Sequence, residues 1–165
     1  MIMILRKRNC FMPIKDKNGM QVCMGKRIMV CLDGSKNSIK GLKVAISMAT
    51  KMNACIIGIH SITKYTAFAK ENPSKIPEKK WPKNAKEIIK DAKKLVTKND
   101  IDFEGVVLKG YNAGHDLVTF ANSNANKIVH IVIGARGMGF PKGLFFGSTS
   151  NFVLHAAKAP VTIVK

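Results

Sequence analysis

Residues 134–150 read GARGMGFPKGLFFGSTS, a glycine-rich loop that directly follows the apolar run at residues 128–133. His130 is the one polar residue in that run, which is typical of a buried strand. A strand that leads through a glycine loop into a helix brings free backbone N–H groups and the positive end of the helix dipole to one point. This stretch therefore predicts an anion site of the kind that holds phosphate.

The glycines in this stretch do not follow the two common phosphate-loop patterns, G-x-x-x-x-G-K-[ST] and G-x-G-x-x-G. Two residues separate Gly134 from Gly137, and nine separate Gly137 from Gly147. We expect Gly134 to leave room for a ligand, Gly137 to turn the chain with a positive φ, and Gly147 to let the backbone approach phosphate. Ser148 has the chemistry of a helix N-cap.

On both sides of this loop, short continuous apolar runs alternate with longer segments whose apolar residues recur every three or four positions. Short apolar runs predict strands at residues 27–32, 54–62, 103–108, 128–133 and 161–164. Stripes at three- and four-residue steps predict helices at residues 39–52 and 85–96. Two more helices are expected, one that carries Leu117, Phe120 and Ala121 and one at residues 149–157. Alternating strands and helices with buried apolar strands indicate a doubly wound α/β sheet, whose ligands bind where the strand order reverses.

The glycine spacing, followed by Ser148, resembles the ATP-binding motif of the universal stress protein family. Residues 28–35, IMVCLDGS, resemble the family's first strand with its terminal acidic residue, and residues 154–164 resemble its last helix and strand. The resemblance spans residues 26–165 as one domain and leaves residues 1–25 as a tail that we expect to be flexible. It implies a five-stranded parallel sheet in the order 3-2-1-4-5 with helices on both faces, similar to the adenine nucleotide alpha hydrolase-like fold.

The resemblance also implies which residues bind the nucleotide. Asp33 would accept hydrogen bonds from ribose hydroxyls or the adenine amino group, with helix capping as its alternative role. Ser61 would contact the base, whereas His60 is expected to pack at the rim of the sheet. The predicted nucleotide-binding residues are Cys31, Leu32, Asp33, Ser61, Ile133, Gly134, Gly137, Gly147, Ser148, Thr149 and Ser150. No catalytic or metal-ligating residue is assigned, and a Mg²⁺ ion would be held mainly by the phosphates of ATP.

These expectations combine into a function. The sequence predicts an ATP-binding regulatory protein of the stress type with at most slow ATP hydrolysis, because no general base or paired nucleophile accompanies the loop. The resemblance implies a homodimer that pairs through the C-terminal strand, residues 161–164. An ATP pyrophosphatase of related fold is disfavoured, since residues 31–35, CLDGS, do not supply its S-G-G-x-D-S loop.

The charge balance leaves a second function open. The chain has 28 Lys and Arg against 10 Asp and Glu, a formal charge of +18, which suits nucleic acid or an anionic membrane as a partner. Only 7% of residues are aromatic, and no RNA-binding signature interleaves them with basic residues, so a solvated basic surface is favoured over a nucleic-acid-associated protein.

Other features of the sequence limit where the protein acts. No segment approaches the ~18 apolar residues that a membrane span requires. The N-terminal MIMIL precedes RKR, which is the reverse of a signal peptide, so a cytoplasmic protein is expected. The four cysteines lack C-x-x-C spacing, which disfavours structural zinc. The Pro- and Lys-rich residues 63–82 are expected to form an exposed loop, either a lid or an idle insertion.

Overall fold

The protein forms a five-stranded parallel sheet that is covered by helices on both faces. The computed structural model describes residues 14–15, 21–22, 25–63, 85–137 and 146–165. The strands of the sheet are β1 (Arg27–Cys31), β2 (Cys55–Thr63), β3 (Phe103–Gly110), β4 (Ile128–Gly134) and β5 (Val161–Val164). They lie in the order β3-β2-β1-β4-β5, and every neighbouring pair is parallel. The predicted fold class is confirmed.

Four helices connect these strands. They are α1 (Lys36–Met52), α2 (Ala85–Thr97), α3 (Ala113–Asn122) and α4 (Ser148–Ala156), and a short 3₁₀ turn, Asn124–Asn126, precedes β4. The core cluster on one face includes residues of α1 and α2, and the cluster on the other face includes residues of α3 and α4. The chain therefore changes faces between α2 and α3, which places the reversal of strand order between β1 and β4.

Helix α1 begins and ends with side-chain and backbone caps. The Oγ of Ser35 accepts the N–H of Ser38 at 3.1 Å, and Asn53 ends the helix in the left-handed conformation with φ of 49°. Leu42, Ala45 and Ala49 follow at three- and four-residue steps and are almost fully buried against the sheet. An amphipathic stripe with a cap at each end thus directs the chain from β1 back to the start of β2.

Strand β1 lies at the centre of the sheet, and all five of its residues are buried. By contrast, all four residues of the edge strand β5 are only partly buried.

Among the described residues, no helix is both long and apolar enough to cross a membrane.

Two predicted segments are described only in part. The N-terminal tail contains two short strands, Ile14–Lys15 and Gln21–Val22, which pair antiparallel, and most of its other residues lie outside the described part of the chain. In the expected loop at residues 63–82, Thr63 is the last residue of β2, and residues 64–82 lie outside the description. Both roles expected for residues 63–82, a lid or an idle insertion, therefore stay predictions.

Candidate functional site

The carboxyl end of β1 carries Asp33 in a tight turn. The N–H of Ser35 donates to Oδ1 of Asp33 at 2.9 Å, and Gly34 between them has a φ of 82°, which favours glycine. Ser35, rather than Asp33, caps α1. The carboxylate of Asp33 is thus held by the turn while the residue stays partly exposed at the edge of the sheet.

The carboxyl end of β4 approaches that carboxylate from the neighbouring strand. A Cβ placed on Gly137 would lie 2.6 Å from Oδ2 of Asp33, so only glycine allows this close approach. Gly137 is not among the described residues with positive φ, so the expectation of a left-handed turn there is wrong. Its hydrogen side chain makes room for the Asp33 carboxylate, and this is a steric reason rather than a conformational one.

Gly134 has a different neighbour from the one that we expected. A Cβ at this position would lie 2.9 Å from the backbone carbonyl carbon of Asn37 and 3.1 Å from the nitrogen of Ser38. The glycine therefore lets the first turn of α1 pack directly against β4, and the space on that side is occupied by protein backbone. Gly137, three residues later, is the glycine that faces Asp33 across the crevice.

The N-terminus of α4 is tied to the end of β4 by two residues. The N–H of Gly147 donates to the carbonyl of Ala135 at 2.8 Å. The hydroxyl of Ser150 lies 2.9 Å from the carbonyl oxygens of both Ala135 and Gly147, and the residue is 2% exposed. The start of α4 is thereby fixed directly beside the loop that carries Gly137.

The N-cap of α4 is Gly147, so the expectation that Ser148 caps this helix is wrong. Gly147 has no side chain that accepts a hydrogen bond, and no side-chain cap is made. The N–H groups of Ser148 and Thr149, in the first turn of the helix, have no intrahelical acceptor. They provide the backbone donors and the helix dipole that an anion site requires, whereas the hydroxyl of Ser150 is already used within the protein.

Two predicted base contacts, Cys31 and Leu32, are largely committed to the interior. Leu32 is 3% exposed, its N–H donates to the carbonyl of Ile59 at 2.8 Å, and its own carbonyl accepts from Nδ1 of His60 at 2.7 Å. Because a carbonyl oxygen only accepts, Nδ1 of His60 carries the proton. Burial, with a smaller contribution from the charge of Asp33, raises the pKa of the Cys31 thiol to about 12. The thiol of Cys31 is therefore uncharged at neutral pH, and the residue presents an apolar surface.

Ser61 is joined to a residue that the sequence did not suggest. Its hydroxyl donates to Oδ2 of Asp116, in the first turn of α3, at 2.9 Å. The same carboxylate lies against Gly110 at the end of β3, where a Cβ would collide with both of its oxygens. Asp116 links the ends of β2 and β3 to α3, and it is a second carboxylate on the carboxyl side of the sheet. Its position along α3 gave no signal, because only the fold brings it to Ser61.

The last of the predicted residues, Ile133, lies on the β4 side. Ile133 is 5% exposed and packs in the core cluster beneath α3 and α4. Arg136 is partly exposed, and its carbonyl accepts from Nδ2 of Asn37 at 3.4 Å. Asn37 is therefore another residue at this edge that the sequence analysis missed. Residues 138–145 of the glycine loop lie outside the described part of the chain.

The geometry brings two sets of groups to one crevice. Asp33 and Gly137 face each other between β1 and β4, and the N-terminus of α4 is anchored beside them through Ala135. Ser61 lies one strand farther away, on β2. The described ranges contain no group of three or more His, Cys, Asp or Glu side chains placed to hold a metal ion. This crevice can bind a ligand that has both an anionic group, which the start of α4 would hold, and a hydrogen-bond donor, which Asp33 would accept.

A doubly wound parallel sheet with a helix N-terminus and an acidic strand tip at its switch point is the architecture of an α/β ligand-binding domain. Comparison with known proteins narrows this class. Residues 24–165 match the universal stress protein family, and the chain belongs to that family.

Individual relatives agree with this placement. The chain is 25% identical over 142 residues to a universal stress protein of Methanocaldococcus jannaschii, a match that covers 85% of this chain and 82% of the relative. A universal stress protein from Archaeoglobus fulgidus, solved in complex with dAMP, is 23% identical with a TM-score of 0.60, covering 86% of this chain and 98% of that one. A universal stress protein in complex with cAMP is 22% identical with a TM-score of 0.61, covering 84% of this chain and 95% of that one. At these identities the two structures show the shared fold.

Proposed function

We propose that this protein is an ATP-binding regulatory member of the universal stress protein family, which acts through the bound nucleotide rather than through rapid turnover. The observation that carries the proposal is the apposition of Asp33 and Gly137, with the start of α4 anchored next to them. Nucleotides combine a polyanion with hydrogen-bonding sugar and base groups, and the crevice combines backbone donors with a carboxylate.

The phosphates would lie at the start of α4. The N–H groups of Ser148 and Thr149 and the dipole of the nine-residue helix favour negative charge there. Thr149 is partly exposed and Ser148 is exposed, which leaves their hydroxyls accessible to a ligand. The buried hydroxyl of Ser150 and the N–H of Gly147 hold the helix in place, so these two residues would contribute by positioning the donors.

The sugar and base would lie toward β1 and β2. One oxygen of Asp33 is fixed by Ser35, and its other oxygen faces the Gly137 side of the crevice, where a ribose hydroxyl would donate to it. Cys31 and Leu32 would contact the base through apolar surface, because the thiol is neutral and both backbone groups of Leu32 already make hydrogen bonds. Ser61, whose hydroxyl proton is donated to Asp116, would present its oxygen as an acceptor.

The related structures support an adenine nucleotide. The ligands in their complexes, dAMP and cAMP, both combine adenine with a single phosphate. The choice of ATP over a monophosphate rests on the glycine spacing that ends at Gly147 and Ser148. A divalent cation such as Mg²⁺ would be held mainly by the phosphates, since Asp33 is the carboxylate that the described residues place at the crevice.

Assembly is a further part of the proposal. Strand β5 lies at the edge of the sheet and is partly buried along its length. An edge strand offers unpaired N–H and C=O groups that a second copy of the same strand can satisfy by symmetric pairing. We expect a homodimer through Val161–Val164. Light scattering at micromolar concentration tests this, and a monomer would contradict it.

The direct test of the site compares two variants that each remove one negative charge. Asp33→Asn changes the crevice, and Asp100→Asn changes the turn before β3, where Asp100 has a φ of 54° that asparagine also adopts readily. Charge-assisted hydrogen bonds are about twice as strong as neutral ones. We expect Asp33→Asn to weaken binding of Mg²⁺–ATP about tenfold, or ~1.4 kcal/mol, with Asp100→Asn unchanged.

Isothermal titration calorimetry with ATP, ADP, AMP and cAMP measures both affinity and ligand preference. Equal affinities of the wild type for ATP and AMP would contradict the role assigned to the start of α4. Failure of the wild type to bind any of the four would overturn the proposed function as a whole.

A further inference from the structure

The two helical layers of the protein differ sharply in charge. Helix α1 carries four lysines and no acidic residue, and α2 carries four lysines with Glu87 and Asp91. On the opposite face of the sheet, α3 and α4 together carry no lysine or arginine, and their one acidic residue is Asp116. The positive charge in the described helices is thus concentrated on one side of the molecule. A basic surface that served only for solubility would have no reason to favour one layer.

The lysines of each helix form a row along its outer side. In α1, Lys36, Lys40 and Lys43 follow at four- and three-residue steps, and Lys51 lies two turns farther along the same side. In α2, Lys90 and Lys93 follow the same spacing, and Lys94 adjoins them. All of these lysines are exposed.

The two rows belong to one surface. The buried residues of α1, such as Leu42 and Ala49, and those of α2, such as Ile88 and Val96, pack into a common core cluster, so the lysine sides of both helices point away from it. The two helices also contact each other. Packed helices lie about 8–10 Å apart, and the α1 row extends about 22 Å at 1.5 Å per residue. We call this surface the α1–α2 lysine face.

The chemistry of this face selects among polyanions. The exposed large apolar residues that the structure describes are Val107, Tyr111, Val129, Phe146, Phe152 and Leu154, and none belongs to α1 or α2. Helices that bind membrane surfaces insert apolar side chains between lipids, and proteins that bind single strands stack bases on aromatic rings. A face with neither feature suits a partner that presents regularly spaced phosphates and hides its bases. Double-stranded nucleic acid meets that description, with one charge per about 1.7 Å of helix axis.

We propose that the α1–α2 lysine face binds the phosphate backbone of double-stranded nucleic acid without reading its sequence. Lysine ammonium groups act as point charges on flexible stems, which suits contact with phosphates at variable positions. Apart from Lys36, which begins α1 next to Ser35, the lysines of this face lie away from the crevice between β1 and β4, so this activity is separate from the proposed binding of ATP. Affinity would arise from the release of counterions and would fall steeply with added salt.

The test compares two quadruple variants with the same change in net charge. The face variant carries Lys43→Gln, Lys51→Gln, Lys90→Gln and Lys93→Gln, and it spares Lys40, whose ammonium donates to the carbonyl of Lys165 at 3.4 Å. The control variant carries Lys26→Gln, Lys109→Gln, Lys127→Gln and Lys158→Gln, four exposed positions outside α1 and α2. Glutamine forms helix about as well as lysine at the face positions, and the control positions are exposed, so we expect both variants to fold.

Fluorescence anisotropy with duplex DNA and duplex RNA of arbitrary sequence, each about 24 base pairs long, measures binding across a salt series. At about 0.1 M salt we expect the face variant to bind at least about tenfold more weakly than the wild type, and the slope of log affinity against log salt to become shallower by about 2–4. The control variant should retain most of the wild-type affinity. A third variant with arginine at the four face positions should bind as the wild type does.

Three outcomes would overturn the proposal. The first is absence of wild-type binding to either duplex at about 0.1 M salt, which would indicate a solvated surface only. The second is an equal loss of affinity in the face and control variants, which would indicate a response to net charge alone. The third is tighter binding to vesicles of anionic phospholipid, or to single strands, than to duplexes. Calorimetry with ATP on the same samples reports the separate site.

Discussion

The two ends of the central strand β1 carry opposite charges, and these charges have different surroundings. At the amino end, Arg27 is 8% exposed and donates to Oε2 of Glu104 at 2.6 Å and to the carbonyl of Asn126 at 3.2 Å. At the carboxyl end, Asp33 is partly exposed and lies against the glycine main chain at Gly137. The first charge is neutralised inside the protein, and the second borders a crevice.

This difference separates stability from binding along a single strand. A buried charge destabilises a fold strongly when its partner is removed, so the amino end tolerates little change. The carboxylate of Asp33 lies at a partly exposed edge of the sheet, so we expect its loss to affect the fold less. Substitutions at the two ends should therefore move different measured quantities.

The largest expected effect is on stability, at the amino end. Arg27→Met leaves the carboxylate of Glu104, whose side chain is 22% exposed, without its guanidinium partner. We expect the free energy of unfolding to fall by about 2–3 kcal/mol, somewhat below the cost for a fully buried pair because Glu104 retains some contact with water. Urea denaturation measures this change, and affinity for ATP should stay within about twofold of the wild type once the protein is folded.

A double variant provides the control for this ion pair. Arg27→Met combined with Glu104→Leu removes both charges, and it should recover most of the lost stability. The Nε of Arg27 is buried and has no hydrogen-bond partner among the described residues, so the native pair is itself incompletely satisfied. A double variant that is less stable than Arg27→Met alone would show that Arg27 contributes through packing rather than charge.

The next effect is on affinity, at the carboxyl end. In Gly137→Ala the new Cβ would meet Oδ2 of Asp33 at 2.6 Å, and the flexible carboxylate would turn away to make room. We expect about a tenfold loss of ATP affinity, measured by calorimetry, because Asp33 leaves its position beside the crevice. The free energy of unfolding should change by less than ~1 kcal/mol. If stability fell as far as in Arg27→Met, the contrast between the two ends would be lost.

The smallest effect concerns pH and a residue near the amino half of the sheet. His130 pairs with Ile28 in register, and its Nε2 lies 2.8 Å from Oγ1 of Thr162 on β5. Burial lowers the pKa of His130 below its ordinary value of 6.5. The unfolded chain therefore binds the proton more readily, so this residue's contribution to stability is complete above pH 6.5 and is lost as the pH falls below it.

The variant His130→Gln isolates this contribution from the other histidines. The drop in thermal midpoint between neutral and mildly acidic pH should be slightly smaller in His130→Gln than in the wild type. An identical drop in the two proteins would show that His130 does not sense pH through its burial.

Several of these features were accessible from the sequence because they are local. The sequence predicted each strand of the sheet and the helices α1, α2 and α4 to within a few residues, and it predicted β5 without error. The helix α3 was predicted without bounds. The acidic tip of β1 at Asp33 and the helix start near Ser148 were identified from short segments. The spacing of apolar residues within one strand or helix indicates which side of it is buried. It can be read without knowing which other elements pack against that side.

Other features were misjudged because they depend on what lies across a gap in the chain. Gly134 accommodates the backbone of α1, 97 residues earlier at Asn37, and Gly137 accommodates a carboxylate rather than a left-handed turn. The hydroxyl of Ser150 turns inward to the carbonyl of Ala135, although its place after a glycine loop suggested a phosphate ligand. A glycine or a hydroxyl has the same appearance in a sequence whether its neighbour is a ligand or the protein itself.

The sequence by itself determined the succession of strands and helices along the chain, the glycine loop and the excess of positive charge. Each of these depends only on composition or on a pattern within a short segment. The tertiary structure decided which charges meet, as Arg27 and Glu104 do across 77 positions and Ser61 and Asp116 do across 55. It also brought the lysines of α1 and α2 to one face of the sheet and put the lysine-free helices α3 and α4 on the other. Long-range contacts follow from how parallel strands and crossover helices pack, and only the folded chain brings those groups together.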